Sequence, residues 1–356
     1  MPDAFSIDRQ HTVKPLTILK QIAAVAPVLV LLSSCGGGDR MTRIAGKAQG
    51  TYYSVLYYDR QERSLREGID SLLAAFDMSA SLWVETSVLN RLNKGEDSVL
   101  DQITVSLLEK SIAMNKFTEG AFDCRVGALV NAWGFGAKDK VQLDSATVDS
   151  LLTICNSEIG VKAMPDNTKT LWRSDSRTEI DFNAIAQGYS VDLLASYLDK
   201  MGIDNYLVDV GGEIIAKGGK KNGHPWTVGI EKPAADSNSI PQAFEAVNLR
   251  NAALVTSGNY RKYYEKDGIR YSHTIDPQTG YPVNHSLLSV SVIDSTAWRA
   301  DALATAFMVM GLDKAKRFLS VHPEIKYVYF IYDEKGQYKT YATAGMEKLI
   351  ADFTSR

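Results

Sequence analysis

The alternation of apolar and polar positions changes period several times along the chain, and each change predicts an element. The run TYYSVLYY at 51–58 is aromatic and β-branched, as strands are. Residues 65–76 and 105–117 repeat their apolar positions at three- and four-residue intervals, the period of an amphipathic helix. Another helix is predicted from just past Gln187 to about Met201, stopped by Gly202. A short apolar strand at 206–210 follows and ends at Gly211-Gly212. From 226 to 292 strands and turns dominate: WTVGI, AFEAVNL, AALVT, a hairpin about Asp267-Gly268, and LLSVSVI. Helical spacing returns at 298–310 and 313–319, before a closing hairpin of KYVYFIY and QYKTYAT that turns near Lys335-Gly336. Strands grouped in runs, rather than alternating strictly with helices, predict an α+β fold with a mixed or antiparallel sheet and not a doubly wound one. No internal repeat, Pro- or Ser-rich linker or block of five like charges divides the chain. We therefore expect a single large domain, with a bilobal form as the other arrangement the pattern allows.

The N-terminal segment follows no such pattern. Arg9, Lys14 and Lys20 form a positive flank ahead of the apolar run 22–32, which is shorter than the roughly 20 residues a spanning helix needs. This is the layout of an export signal. Leu32-Ser33-Ser34-Cys35 then sets small residues before a cysteine, and Gly36-Gly37-Gly38 has no side chains to pack. The segment resembles the lipobox of bacterial lipoproteins, in which cleavage leaves the cysteine as the lipid-bearing N-terminus. A plain secretory signal and an uncleaved anchor are the alternatives. The expectation is a lipoprotein signal peptide at 1–35 with lipidation at Cys35, a flexible tether at 36–48 and a functional domain at 49–356. Such a protein is exported and held by its lipid at the periplasmic face of a bacterial membrane.

With 356 residues, 45% of them hydrophobic and 23% charged, the chain can build a large core, which excludes disordered and fibrous classes. A formal charge of -3 leaves no basic surplus for phosphates, so no nucleic-acid partner is expected. Three cysteines, none in a CxxC pair, make neither a disulfide scaffold nor a zinc ribbon. Export would allow Cys124 and Cys155 to pair, although two cysteines in so long a chain read more simply as small buried hydrophobes.

Four segments set polar and glycine residues among the apolar runs without a packing reason. In the first, Ala121-Phe122-Asp123 precedes AWGFG at 132–136. Asp123 could accept from a ligand's ribose or ring N–H groups beside the flat faces of Phe122 and Trp133, or be a turn aspartate beside core aromatics. In the second, Asp181-Phe182-Asn183-Ala184 leads into the helix carrying Gln187. Free N–H groups at a helix start favour an anion such as a pyrophosphate, but an Asp or Asn there often only caps. After that helix, Gly211-Gly212 permits either close approach of a ligand or a β-turn. The third runs from Thr256-Ser257-Gly258 to His273-Thr274-Ile275-Asp276-Pro277. His273, just ahead of the Asp-Pro turn, is a candidate proton acceptor or a structural imidazole. His11 lies in the signal, and His224, His285 and His322 sit in loop-like contexts. In the fourth, Asp301 and Thr305 stand four apart on a predicted helix and share a face. A carboxylate plus a hydroxyl is a hard-oxygen set suited to Mg²⁺, and a capping Asp with a buried Thr is the plainer alternative.

As an ordered set these segments resemble the ApbE-like flavin transferases, the FAD:protein FMN transferases, from Gly50-Thr51 to about Gly311. The strings that carry the resemblance are GTYY, SVLNRLN, AFD, AWGFG, DFNAIAQGYSVD, VDVGGEI, TSGNYRKYY, SHTIDPQTGYPV and ADALATAFMVMG. The resemblance implies an ApbE-like α+β fold and a Mg²⁺-dependent transferase whose substrate is FAD. Such an enzyme attaches FMN to a Thr or Ser of an acceptor protein with a flavinylation motif, typically an electron-transport subunit, and releases AMP. It implies FAD contacts at Trp83, Ala121, Phe122, Asp123, Asp181 and the stretch from His273 to Ile275, and a metal held by Asp301, Thr305 and the backbone oxygen of Ala184. Gln187, Gly211, Gly212, Ser257 and Gly258 complete the expected flavin-nucleotide set. His273 is the expected base, with Asp276 orienting it or holding the turn. Three positions depart from the family pattern. Trp83 replaces a phenol, Gln49 replaces a methionine, and Gln187 replaces a lysine, removing a positive charge from the phosphate neighbourhood. Two other functions compete: Mg²⁺-dependent hydrolysis of FAD to FMN and AMP, and a flavin-binding lipoprotein without chemistry, which Gln187 keeps open.

Overall fold

The computed structural model describes residues 40–351 except 97–98, 139–140, 142, 232–242, 260–262 and 267–268. The expected signal peptide, Cys35 and the start of the tether lie outside the described residues, as do the residues at the Asp267-Gly268 turn. The chain opens with the hairpin β1 (Met41–Ala48) and β2 (Thr51–Tyr58). Then come α1 (Arg66–Ala80), α2 (Val88–Lys94), β3 (Val99–Leu100), α3 (Gln102–Phe117), α4 (Gly127–Ala132), α5 (Ser145–Cys155), β4 (Ile159–Ala163) and β5 (Lys169–Arg173). Helix α6 (Ala186–Lys200) leads to β6 (Tyr206–Val210) and β7 (Glu213–Lys217). The strands β8 (Trp226–Glu231), β9 (Ala243–Leu249), β10 (Ala252–Gly258), β11 (Tyr263–Lys266), β12 (Ile269–Ser272) and β13 (Leu287–Asp294) follow. The chain closes with α7 (Ala297–Val321), β14 (Tyr327–Glu334), β15 (Gln337–Ala342), α8 (Ala344–Glu347) and β16 (Ile350–Ala351).

Eight strands form one sheet in the order β1-β2-β6-β7-β10-β13-β14-β15, with every neighbouring pair antiparallel. Of the two sheet types expected, the antiparallel one is present. Period-two alternation gives this sheet two apolar faces. On one, Tyr53, Val55 and Tyr57 of β2, Val208 and Val210 of β6, and Val255 of β10 pack with Leu194 and Leu198 of α6 and Phe307 of α7. On the other, Ala216, Leu254, Ile293 and Ile331 meet Trp226, Val228, Ile230, Val247 and Leu249 of the small sheet β8-β9-β16. The result is three layers: helices, large sheet, small sheet. All described residues belong to one unit, so the bilobal alternative is not seen.

Helices α1, α3, α6 and α7 form where the periodicity placed them, and α2, α4, α5 and α8 were not predicted. Helix α1 buries Ile69, Leu73, Phe76 and Ala80 on one stripe. The Asp101 side chain caps α3 by accepting from Thr104 N–H at 2.7 Å. The two helices expected at 298–310 and 313–319 are both present as the halves of α7, separated by a kink at Gly311, whose φ of 70 and ψ of 170 are not helical. The tether needs correction. Met41–Ala48 is not flexible linker but strand β1, paired with β2 over its whole length. Only Ile44 of that strand is fully buried, so its sequence carries almost no apolar alternation to announce it. Cys124 and Cys155 are both buried and unpaired, with thiols pushed up by burial, Cys155 to about 12.

Candidate active site

A cavity of about 1200 Å³ opens between the large sheet, the start of α6, the first half of α7 and the loops before α4 and after β12. Trp83, Ala121, Phe122, Asp123, Asp181, Ala184, Gln187, Gly211, Gly212, Ser257, Gly258, His273, Ile275, Asp301 and Thr305 all line it. Segments more than 200 positions apart in the chain thus meet in one place. A smaller cleft of about 380 Å³ between β1 and α1 contains none of the expected residues.

Helix α7 supplies the acidic wall. Asp301 is 5% exposed, and one carboxylate oxygen, Oδ2, accepts from Gly188 N–H at 3.0 Å. Burial pushes its pKa up to about 7, the Gly188 hydrogen bond opposes that shift, and the nearby charge of Asp192 adds to it. One turn on, the Thr305 hydroxyl lies 3.3 Å from the Ser257 hydroxyl of β10. Asp301 has no ion-pair partner among the described residues. A buried carboxylate without a counter-charge, flanked by hydroxyl oxygens and sharing its cavity with Ala184, fits a hard divalent cation. Among the described residues no three His, Cys, Asp or Glu side chains converge on a metal position. The available set is therefore one carboxylate plus neutral oxygens, a set that suits Mg²⁺ when phosphate and water complete its shell.

The opposite wall is more engaged with itself than the residue types suggested. Both oxygens of Asp123 are gripped by Arg125, with Nε at 2.8 Å from Oδ1 and Nη2 at 2.5 Å from Oδ2, and Arg125 is tied to the Ser157 carbonyl. Asp123 can thus offer a ligand only its remaining lone pairs. Phe122 is 1% exposed and packs mainly into the core. Trp133, expected as a ligand face, does not line the cavity. Its indole donates to the Gly280 carbonyl at 2.8 Å, and its ring packs with Leu129, Val148 and Ile275. Phe135, two residues on, lines the cavity instead, edge-on to His273 with centroids 6.5 Å apart.

Asp181 is buried and accepts from the Asn183 backbone and side chain, and desolvation raises its pKa. The N-terminus of α6 is less open to an anion than expected. Ala186 N–H donates to the Phe182 carbonyl, and Gly188 N–H is taken by Asp301. Gly211, at φ 65, does permit a close approach, but by protein: a Cβ there would lie 2.3 Å from Gln187 Nε2. Asp209 accepts from Gly212 N–H at 3.0 Å and from the Tyr52 hydroxyl at 3.2 Å.

His273 sits on a loop pinned at several points. Val283 N–H donates to the Thr274 carbonyl, Gly280 N–H to the Asp276 carbonyl, and the Thr274 hydroxyl to Asn259 Oδ1 at 2.7 Å. Asp276 is not in the cavity wall; its carboxylate accepts from Gln278 N–H at 2.8 Å, so of its two expected roles it performs the turn-holding one. Trp83 is 70% exposed and stands at the cavity mouth with Tyr52 and Met41. Sequence reasoning missed Arg125 and Phe135. The Asp-x-Arg spacing is a usable signal for the first, whereas the second has none beyond its place in AWGFG.

The sequence model of the ApbE family matches residues 49–329. An FAD:protein FMN transferase of Vibrio cholerae is 34% identical over 330 residues, covering 91% of this chain and 97% of its own. One of Escherichia coli K12 is 35% identical over 309 residues, covering 85% and 87%. The structure of the flavin transferase ApbE from Vibrio cholerae superposes with a TM-score of 0.75 at 31% identity, over 87% of this chain and 99% of that one. The apo flavinyl transferase ApbE of Pseudomonas stutzeri gives 0.75 at 30% identity, over 87% and 97%. The family match spans every segment that lines the polar end of the cavity, and the relatives align along nearly their full lengths, so this chain belongs to the ApbE family.

Proposed function

We propose that this protein is an FAD:protein FMN transferase: it takes FAD, passes FMN to a Thr or Ser hydroxyl of an acceptor protein and releases AMP. The observation that carries this is the gathering of Asp181, His273, Asp301 and Thr305, from three separate segments, on one cavity large enough for a dinucleotide. Asp301, Thr305 and the Ala184 carbonyl would hold Mg²⁺. When bound, Mg²⁺ would offset the negative charge that develops on the phosphoryl oxygens and the departing AMP. Ser257, hydrogen-bonded to Thr305, keeps that hydroxyl oriented. His273 accepts the proton of the incoming hydroxyl, and its pinned loop limits how far the imidazole can drift from it. Phe135 beside it excludes water from that side. Gln187 keeps a donor near the phosphates but no charge.

The test is to incubate the protein with FAD, Mg²⁺ and an acceptor bearing a Thr in a flavinylation motif. A fluorescent acceptor band in a denaturing gel is the expected result. Free FMN and AMP without labelled acceptor would point to hydrolysis, and intact FAD to binding alone. The residues before β1 support export and a lipid anchor on Cys35, and the family resemblance supports an electron-transport acceptor facing the same compartment. A Cys35→Ala variant should leave the membrane fraction, and its retention there would overturn the lipid anchor.

A further inference from the structure

The two helices that build the acidic wall cap each other. Thr296 is the N-cap residue of α7 and has a suitable side chain, yet that side chain makes no cap bond. Asp192 of α6 takes its place, accepting from Ala297 N–H through Oδ1 and from Trp298 N–H through Oδ2, both at 2.9 Å. Ile185, at the N-terminus of α6, has no polar side-chain atom to offer, and there Asp301 of α7 accepts from Gly188 N–H at 3.0 Å. Each helix start, with its unsatisfied N–H groups and positive dipole end, is thus met by a carboxylate from the second turn of the other. Gly188 allows the helices to meet this closely, since a Cβ there would fall 2.4 Å from the Ala297 carbonyl oxygen and 2.8 Å from Asp301 Cβ.

The pair of caps fixes how α7 is registered against α6. Asp192 holds the first turn of α7, and the Gly188 bond then commits Asp301 Oδ2, so that carboxylate has one orientation. Thr305 follows one turn later on the same rigid half-helix. We propose that Asp192 is a positioning residue for this site, setting the register of α7 so that the Asp301 and Thr305 oxygens face the cavity. Asp192 itself does not line the cavity. The consequence for metal binding rests on the assignment of Asp301 and Thr305 as its ligands; the positioning of Asp301 does not.

Asp192→Asn keeps the side chain's size but sets an amide donor against one of the two N–H groups. In the metal-free protein, hydrogen exchange at the Gly188 amide should accelerate tenfold or more, because that amide's partner is Asp301. In the FAD-loaded protein, the Kd for Mg²⁺ measured by calorimetry should rise tenfold or more. Asp192→Ala combined with Thr296→Asp gives α7 a cap of its own, so its melting temperature should stay close to wild type while Gly188 exchange remains fast and Mg²⁺ binding weak. Gly188 exchange within twofold of wild type in Asp192→Asn overturns the proposal. So does the double variant if it restores slow Gly188 exchange, and it decides alone if Asp192→Asn does not fold. Wild-type protein that binds no Mg²⁺ overturns the metal assignment and leaves the Gly188 result to judge the positioning of Asp301.

Discussion

Asp209 shows how a single residue in the cavity wall can work against the fold. Burial raises its pKa above the ordinary 3.8, although hydrogen bonds from Gly212 and Tyr52 pull the other way. The folded protein therefore retains a proton where the unfolded chain has lost it, so stability contributed below 3.8 is lost as pH rises through the raised value. Asp209→Asn should melt above wild type at pH 8, and this advantage should vanish below 3.8, as thermal melts of the ligand-free protein would show. The role proposed for His273 bears on rate and not on folding. His273→Ala should still bind FAD while turnover falls by roughly 10²-fold or more, and unchanged turnover would remove it as the base. Asp301→Ala should abolish the Mg²⁺ dependence of transfer, and a rate still rising with Mg²⁺ would remove that ligand. His273, Asp301 and Thr305 each kept a structural reading in isolation, and it was the ordered set of segments that made them candidates. Arg125 was missed despite its Asp-x-Arg spacing, because its task is to hold Asp123 rather than to face a ligand.

Among the elements, α7 is the one whose interruption matters most. Its apolar spacing reads as two helices, and the structure bears this out with a kink at Gly311, whose backbone lies in a region that only glycine occupies without strain. His285, set aside in the sequence as a loop residue, holds the end of the first half: its Nε2 lies 2.8 Å from the Met308 carbonyl, and its Nδ1 accepts from Leu287 N–H. Gly311→Ala should therefore cost about 1–3 kcal/mol in urea denaturation, from the strained backbone and from crowding against the His285 ring. Helices α1 and α3, strand β6 and the hairpin of β14 with β15 were legible from period and turn residues, whereas β7 was not predicted. Strand β1 was not: one buried position among eight leaves no alternation to read, and it is pairing with β2 that makes it a strand.

For the whole molecule, the cavity joins the layers. Its wall runs from Met41 to Val309 and draws on both faces of the large sheet. A ligand bound there should stabilise all of them together. FAD at 100 times its Kd should add about 2.7 kcal/mol and raise a single melting transition, whereas two transitions, only one of them shifted, would contradict a single cooperative unit. By itself the sequence determined the α+β class, most of the regular elements and the ordered motifs, because period and turn chemistry are local and report which face of an element is buried. The order of the eight strands, the grip of Arg125 on Asp123, the exclusion of Trp133 from the cavity and the cap that Asp192 places on α7 across 105 positions were decided only by the tertiary structure. A local pattern says that a face must be covered or an N–H satisfied. Which distant side chain does so depends on packing the whole chain at once.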